Sequence, residues 1–208
     1  MLMSRMPKKL LIATNNAGKV IELRVMTKDF PLEIVGLDSF ADLVEVEETG
    51  DTFEENARLK AVGYAQQTGV TALADDSGLE VAALGGRPGV LSARYGGLHT
   101  PFTEKIKLLL AELEQTGDKD RQARFVCSIT IASPIGKILF SANGFCDGFI
   151  AKKPRGLKGF GYDPVFIPDG HDMTFGELVA HEKHKISHRG RAFLHIIPFL
   201  RHFSGVST

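Results

Sequence analysis

The chain has 208 residues, 43% of them hydrophobic and 24% charged, which suits one sizeable globular domain, or one elaborated into two lobes, and argues against a disordered chain. Lys plus Arg number 25 and Asp plus Glu number 25, so the formal net charge is zero and a protein whose main task is coating nucleic acid is not expected. No apolar run reaches the length of a membrane span and no signal-type apolar core stands near the N-terminus, so no membrane partner is expected either.

Residues 1–208 read as a single domain, with residues 1–7 (Met1, Met3 and Met6 among them) as a loose polar leader. Lys8–Thr14 reads as a buried strand, followed by the turn Asn15-Asn16-Ala17-Gly18. Helical spacing of Val20, Leu23, Val25 and Met26 predicts a helix that Pro31 ends, and Leu32–Val35 predicts a second strand. Glu45, Glu47, Glu48, Asp51, Glu54 and Glu55 then crowd one acidic stretch. Within it Asp51 or Thr52 caps a helix running from Phe53 to about Gln67, which Gly69 closes. Val70–Ala74 is a short apolar strand leading straight into a turn, Asp75-Asp76-Ser77-Gly78, and Gly85-Gly86-Arg87-Pro88-Gly89 is a loop. Thr100 or Pro101 opens a helix whose inner face is Ile106, Leu109, Leu110 and Leu113, and Gly117 ends it. Phe125–Ala132 and Lys137–Phe145 alternate around Ser133-Pro134-Ile135-Gly136 as an antiparallel hairpin. That hairpin brings Cys127 and Cys146 near each other as two buried, reduced thiols of a cytosolic chain, not a disulfide.

Gly148 to Pro164 reads as a loop rich in Gly, Pro and Lys, and Thr174-Phe175-Gly176-Glu177 as the capping box of a short helix. Ser187 caps the closing helix, which carries Phe193, Ile196, Ile197 and Leu200 and which Pro198 kinks or shortens. Helices and strands interleave while the central hairpin is antiparallel. The fold class is therefore α/β, with a mixed curved sheet, flanking helices and two lobes around a central cleft.

Four segments carry chemistry. Thr14-Asn15-Asn16-Ala17-Gly18-Lys19 joins a strand end to a helix N-terminus, where backbone N–H groups attract anions and Lys19 adds a positive charge; it is not a Walker A sequence. Asp75 and Asp76 sit beside each other at a buried strand end, a costly arrangement unless they are paired, hydrogen-bonded or metal-bound. Neighbours on a strand face opposite ways, so the two carboxylates should have different roles. Magnesium takes one or two carboxylates plus substrate phosphate, and Asp76 or Asp75 together with the Glu47-Glu48 pair offers that set. The loop Pro154–Pro164 holds four glycines, with Phe160 and Tyr162 placed to stack on a base and Asp163 to accept from a ring N–H. Two aromatics packed over a core edge are the plainer alternative. Glu182–Gly190 gathers Lys183, Lys185 and Arg189 at the helix start marked by Ser187, a phosphate-type constellation. His184 and His188 are four apart, but Ile186 and Ser187 break the helix between them, and zinc is not expected.

Taken in order, Thr14–Lys19, Glu47-Glu48-Thr49-Gly50, Asp75-Asp76-Ser77-Gly78-Leu79, Ser92-Ala93-Arg94-Tyr95, Gly159-Phe160-Gly161-Tyr162-Asp163-Pro164 and Ser187-His188-Arg189-Gly190 resemble the inosine triphosphate pyrophosphatase family, the Ham1-like non-canonical purine nucleoside triphosphate pyrophosphatases. The resemblance runs from about Lys9 to Leu200. It implies hydrolysis of ITP, dITP and XTP to monophosphate and pyrophosphate with Mg2+, by a cytoplasmic homodimer that binds neither nucleic acid nor membrane. By the same resemblance Thr14, Asn15, Asn16, Ala17, Gly18 and Lys19 would cradle the triphosphate, with Ser77 nearby. Glu47 and Asp76 would hold magnesium, and Asp76 would be the catalytic base. Phe160, Gly161, Tyr162 and Asp163 would enclose the base, and Lys183, His188 and Arg189 would complete the nucleotide site, with Lys60 as a further phosphate contact. His181 and His184 depart from the family's usual residues and bear on fine substrate preference. Two rival functions use the same residues: another magnesium-dependent nucleotide phosphatase or phosphodiesterase, and a non-catalytic nucleotide sensor that has no need of Glu47, Asp75 and Asp76. An RNA-binding module built on Phe160 and Tyr162 sits poorly with zero net charge.

Overall fold

The structure, a computed structural model, describes residues 7–117 and 119–205; of the leader expected over residues 1–7, all but Pro7 lies outside the described residues. In chain order the elements are β1 (Lys8–Ile12), α1 (Ala17–Thr27), β2 (Leu32–Gly36), α2 (Phe53–Thr68), β3 (Ala72–Val81), α3 (Phe102–Gln115), β4 (Gln122–Ala132), β5 (Ile138–Ile150), β6 (Phe166–Pro168), α4 (Ala180–Ile186) and α5 (His188–Ser204). The strands form one sheet in the order β2-β1-β3-β4-β5-β6. It is mixed: β1 runs parallel to both β2 and β3, and β5 is antiparallel to β6. Only five residues separate β4 from β5, too few for a crossover, so these neighbours form an antiparallel hairpin. Ser133 N–H closes it on the Lys137 carbonyl at 2.9 Å.

Local sequence explains the elements that position the site. In β1, Leu10, Leu11 and Ile12 are fully buried, as expected of a parallel strand covered on both faces. At α2 the Thr52 hydroxyl accepts from Glu55 N–H while the Glu55 carboxylate accepts from Thr52 N–H, and Gly69 ends the helix in the left-handed conformation at φ 68°.

Among the described residues the chain forms two compact units. The first takes the residues up to Asp76, then Ser128–Ala142, then those from Phe193 onward. Its core sets Leu11, Leu37 and Tyr64 among alanines 13, 61, 65, 72, 74 and 132, small side chains that let α2 pack close to the strands. The second unit takes Ser77–Cys127 and Asn143–Ala192, and its core is aromatic, built on Tyr95, Phe125, Tyr162, Phe166 and Phe175 with Ile106, Leu109 and Leu113 of α3. Cys127 and Cys146 are buried and form no disulfide. No helix of the described residues is long and apolar enough to cross a membrane.

Four elements differ from the expectation. The supposed turn Asp75-Asp76-Ser77-Gly78 is the middle of β3, which runs unbroken to Val81, because the two carboxylates are neutralised by lysines from α1 and α2 and need not end the strand. Strand β5 continues through Gly148 to Ile150, three residues into the expected loop, since its pairing with β6 satisfies that backbone. Thr174–Glu177 forms no helix. Its side-chain bonds are made, Thr174 N–H to the Glu177 carboxylate at 2.8 Å, but the N–H groups of Phe175 and Gly176 go to the carbonyls of Phe166 and Asp163. Of the two effects expected of Pro198, a kink or a shortening, the shortening does not occur: α5 reaches Ser204, with Pro198 exposed while Ile196 and Leu200 are fully buried.

Candidate functional site

The first unit holds a group of charges on α1, α2 and β3. Asp75 and Asp76 are consecutive on β3 and find different partners, as strand alternation requires. Asp75 is fully buried, and its carboxylate lies 3.3 Å from the Lys19 ammonium. Asp76 Oδ1 lies 3.0 Å from Lys60 Nζ, which also reaches Glu48 Oε1 at 2.7 Å. Lys60 is 6% exposed and Asp76 likewise, so both charges depend on this contact. Burial raises the Asp76 pKa, outweighing Lys60 and Lys19, and the nearby Glu48 pushes it the same way. Burial acts to lower the Lys60 pKa, but Asp76, Glu48 and Asp75 together carry it above the usual lysine value.

Glu48 reaches Lys60 because α2 clamps the acidic loop. Asn56, Lys60 and Tyr64 recur every fourth residue and so share one helix face, with Gln67 a turn further on. Asn56 is fully buried and holds Gly50 twice, accepting its N–H at 2.8 Å and donating to its carbonyl at 3.2 Å. The Tyr64 hydroxyl accepts from Val46 N–H, and the Gln67 amide pairs with both backbone groups of Val44 at 2.8 and 3.0 Å.

Beside this group, the turn into α1 organises its own backbone. Thr14 Oγ1 accepts from Asn16 N–H, and the Asn16 side chain caps the helix by accepting from Lys19 N–H at 3.1 Å. Asn15 and Ala17 are exposed, Thr14, Asn16 and Gly18 half-buried, and the first turn of α1 carries no acidic residue to oppose an anion.

The second unit holds the other group. Arg189, in the first turn of α5, is 1% exposed and donates to Ser77 Oγ at 2.8 Å. Ser187 Oγ caps that helix by accepting from Gly190 N–H. The His188 ring stacks on Phe125 with centroids 4.5 Å apart and planes 9° from parallel. The helix start lies so close to β5 that a Cβ on Gly144 would fall 2.2 Å from the His188 carbonyl oxygen and 2.3 Å from Ala192 N. On the facing loop, Asp163 is 2% exposed and one of its oxygens accepts from both Phe160 N–H at 2.7 Å and Lys183 Nζ at 2.6 Å. Gly159, at φ 72°, permits this, since a Cβ there would fall 2.0 Å from that oxygen. Two cations border the half-buried Phe160 ring, Lys183 Nζ at 4.8 Å and Arg189 Cζ at 5.5 Å from its centroid.

Thus within one unit the structure brings together Lys19, Asp75 and Asp76, and within the other Ser77, Phe160, Asp163, Lys183 and Arg189. Tyr162 is buried against Phe102, 5.4 Å between centroids, with its hydroxyl on the Ser92 carbonyl, which is the core-packing alternative for one of the two loop aromatics. Gly161 is half-buried at φ 65°. Glu47 is exposed, and Glu48 is the acidic residue placed beside Lys60. His181 is exposed against Glu182, and the His184 carbonyl packs on Gly190. Sequence reasoning missed the Asn56, Tyr64 and Gln67 clamp, whose one signal is the four-residue spacing of polar groups along α2.

A divalent cation can be tested against these donors. Asp76 Oδ2 is buried with no hydrogen-bond partner among the described residues, while Oδ1 meets Lys60. Among the described residues no three His, Cys, Asp or Glu side chains are grouped to hold a metal by themselves. Two carboxylates with one free buried oxygen fit magnesium, which fills the rest of its octahedron with water and substrate phosphate.

Residues 10–199 match the sequence profile of the Ham1 family. The chain is 45% identical over 199 residues to the dITP/XTP pyrophosphatase of Streptomyces avermitilis, covering 95% of this chain and 99% of that one. It is 46% identical to the dITP/XTP pyrophosphatase of Prochlorococcus marinus, covering 93% and 92%. Among solved structures, a HAM1 protein from Coxiella burnetii superposes with a TM-score of 0.86 at 40% identity, covering 94% of this chain and 99% of that one. The nucleoside-triphosphatase, or dITP/XTP pyrophosphatase, of Mycobacterium abscessus gives 0.72 at 43% identity, covering 91% and 99%.

Proposed function

The chain belongs to the Ham1 family, and on that premise we propose that it hydrolyses dITP, XTP and ITP to the nucleoside monophosphate and pyrophosphate, clearing deaminated purines from the nucleotide pool. The observation that carries this reading is the Lys60 ammonium set between Asp76 and Glu48, with one buried Asp76 oxygen left over. A cation already sits where a polyphosphate-bound metal needs carboxylates. In this reading Asp76 takes the proton of the attacking water as the anhydride between the α and β phosphates breaks. Lys19 and the N–H groups of the Thr14–Lys19 turn receive the charge of the phosphates. Magnesium, held by Asp76 with Glu48 or Glu47, supplies further neutralisation of the phosphate oxygens when bound.

The purine would stack on Phe160, with Gly161 allowing close approach and Lys183, His188 and Arg189 lining its polar edge. A 6-oxo purine presents an acceptor to these donors. Adenine presents an amino group and would set donor against donor at that edge, which is the stronger form of discrimination. Asp163 acts here by holding Lys183 and the Phe160 backbone, and Tyr162 by packing under the loop. The reading extends to a cytoplasmic homodimer, for which sedimentation should give about twice the chain mass of 22.7 kDa.

The deciding experiment incubates the protein with ITP, XTP, GTP or ATP and magnesium and assays pyrophosphate and orthophosphate separately. Pyrophosphate from ITP and XTP far in excess of that from GTP and ATP is the expected result. Orthophosphate as the product would replace this reading with a phosphatase, and binding without turnover would replace it with a sensor.

A further inference from the structure

Lys105, on the first turn of α3, is 2% exposed, yet among the described residues no carboxylate lies within ion-pair distance of it. Its ammonium donates to the Ala93 carbonyl and lies 5.0 Å from the centroid of the Phe102 ring, and these are its contacts. A buried ammonium held by a neutral carbonyl and a ring is a poor way to gain stability, since a methionine of similar shape would avoid the desolvation cost. Position is the better explanation.

Ala93 follows Ser92 in the segment after β3. The Ser92 hydroxyl accepts from Leu79 N–H at 2.9 Å and donates to the Gly89 carbonyl at 2.6 Å, and the Ser92 carbonyl accepts from Tyr162 OH at 3.2 Å. Phe102, three residues before Lys105 on the same helix, meets the Tyr162 ring edge-on at 90°. One helical turn thus grips Tyr162 twice, directly through Phe102 and indirectly through Lys105, Ala93 and Ser92. Tyr162 stands between Gly161 and Asp163, and Asp163 in turn fixes the Phe160 backbone and Lys183.

We propose that Lys105 is a positioning residue for the purine-binding loop: by holding the Ala93 carbonyl it keeps Ser92 under Tyr162 and so sets the placement of Phe160 and Asp163. The proposal rests on the pyrophosphatase reading above. Loss of the tie should then weaken nucleotide capture and spare the chemistry, which belongs to Asp76 in the other unit.

The test measures KM and kcat for ITP, with pyrophosphate release as readout, in the wild type, Lys105→Met, Tyr162→Phe and the double variant. The expected result is a KM increase of about five- to tenfold in each single variant, with kcat within about twofold of wild type. In the double variant the KM increase should match that of one single variant, because both substitutions cut the same tie. An unmoved KM in either single variant, or a double variant in which the two effects multiply, overturns the proposal. If Lys105→Met does not fold, Tyr162→Phe alone decides in the same way. A wild type that releases no pyrophosphate from ITP overturns the functional reading and this proposal together, whereas wild-type turnover with unmoved variants overturns only this one.

Discussion

Replacing Lys60 by methionine keeps the stem of the side chain and removes the ammonium that lies 3.0 Å from Asp76 and 2.7 Å from Glu48. Two carboxylates then face each other without the ammonium between them, one of them almost wholly buried. Removing one partner of a buried pair costs about 3–5 kcal/mol, and because the Glu48 side chain is 29% exposed its share is weakened by solvent, so about 3 kcal/mol is the reasonable figure. For a chain of this length about 2–4 °C is lost per kcal/mol, which gives a fall in Tm of about 6–12 °C in chelator. A divalent cation should recover much of that loss in the variant, since it meets the same two carboxylates with no ammonium to displace. The wild type should gain less from the same cation. Thermal unfolding of both proteins, in chelator and in millimolar magnesium, reads both effects. A fall in Tm below about 2 °C, or an equal response to magnesium in the two proteins, would refute the idea that Lys60 occupies the cation's place.

Two further predictions follow from the same geometry. Burial holds the folded Asp76 pKa above its unfolded value of 3.8, so its contribution to stability is fully present below that value and is lost as pH rises through the raised one. In chelator, the Tm of the wild type minus that of Asp76→Asn should therefore shrink as pH rises above about 4, and a difference that grows with pH would contradict the assignment. Gly144→Ala forces a methyl to within 2.2 Å of the His188 carbonyl and 2.3 Å of Ala192 N, backbone atoms that move only if α5 moves. It should lower stability by about 1–3 kcal/mol in denaturant titration and raise the KM for ITP, because His188 and Arg189 ride on that turn; an unchanged midpoint would show that the helix start tolerates displacement.

Most elements were legible because their signals are local. The Leu-Leu-Ile run of β1, a cap at Asp51 or Thr52 and the Gly69 stop each act within a few residues; the structure keeps the strand and the stop and places the cap at Thr52, with Glu55 as its reciprocal partner. The Ser187 break between α4 and α5 is of the same kind. Reading failed where a distant group changed the local balance. Asp75-Asp76 reads as a strand end because unpaired carboxylates disfavour a buried strand, but their counter-charges come from residues 56 and 16 positions away, and with them the strand continues. Thr174–Glu177 carries an authentic capping signal, yet the N–H groups of Phe175 and Gly176 are already taken by Phe166 and Asp163.

The same reasoning separates the parts of the candidate site. Thr14–Lys19, Asp76 and Arg189 stand out in the sequence as candidates, because chemistry restricts which side chains suit phosphate or metal. Assignments between neighbours were not. Whether Glu47 or Glu48 faces Asp76 depends on how the loop is tied to α2, and that is set by Asn56, Tyr64 and Gln67, side chains that touch neither carboxylate. Asp163 shows the converse case. An acidic residue in a glycine-rich loop invites the reading of a base contact, but its shared oxygen is held by Lys183 and the Phe160 backbone. A substitution at Asp163 would therefore disturb the geometry of the cation over Phe160. Local breaches of the folding rules, the adjacent carboxylates of β3 and the buried Lys19 and Lys60 that meet them, therefore single out the candidate site independently of any motif.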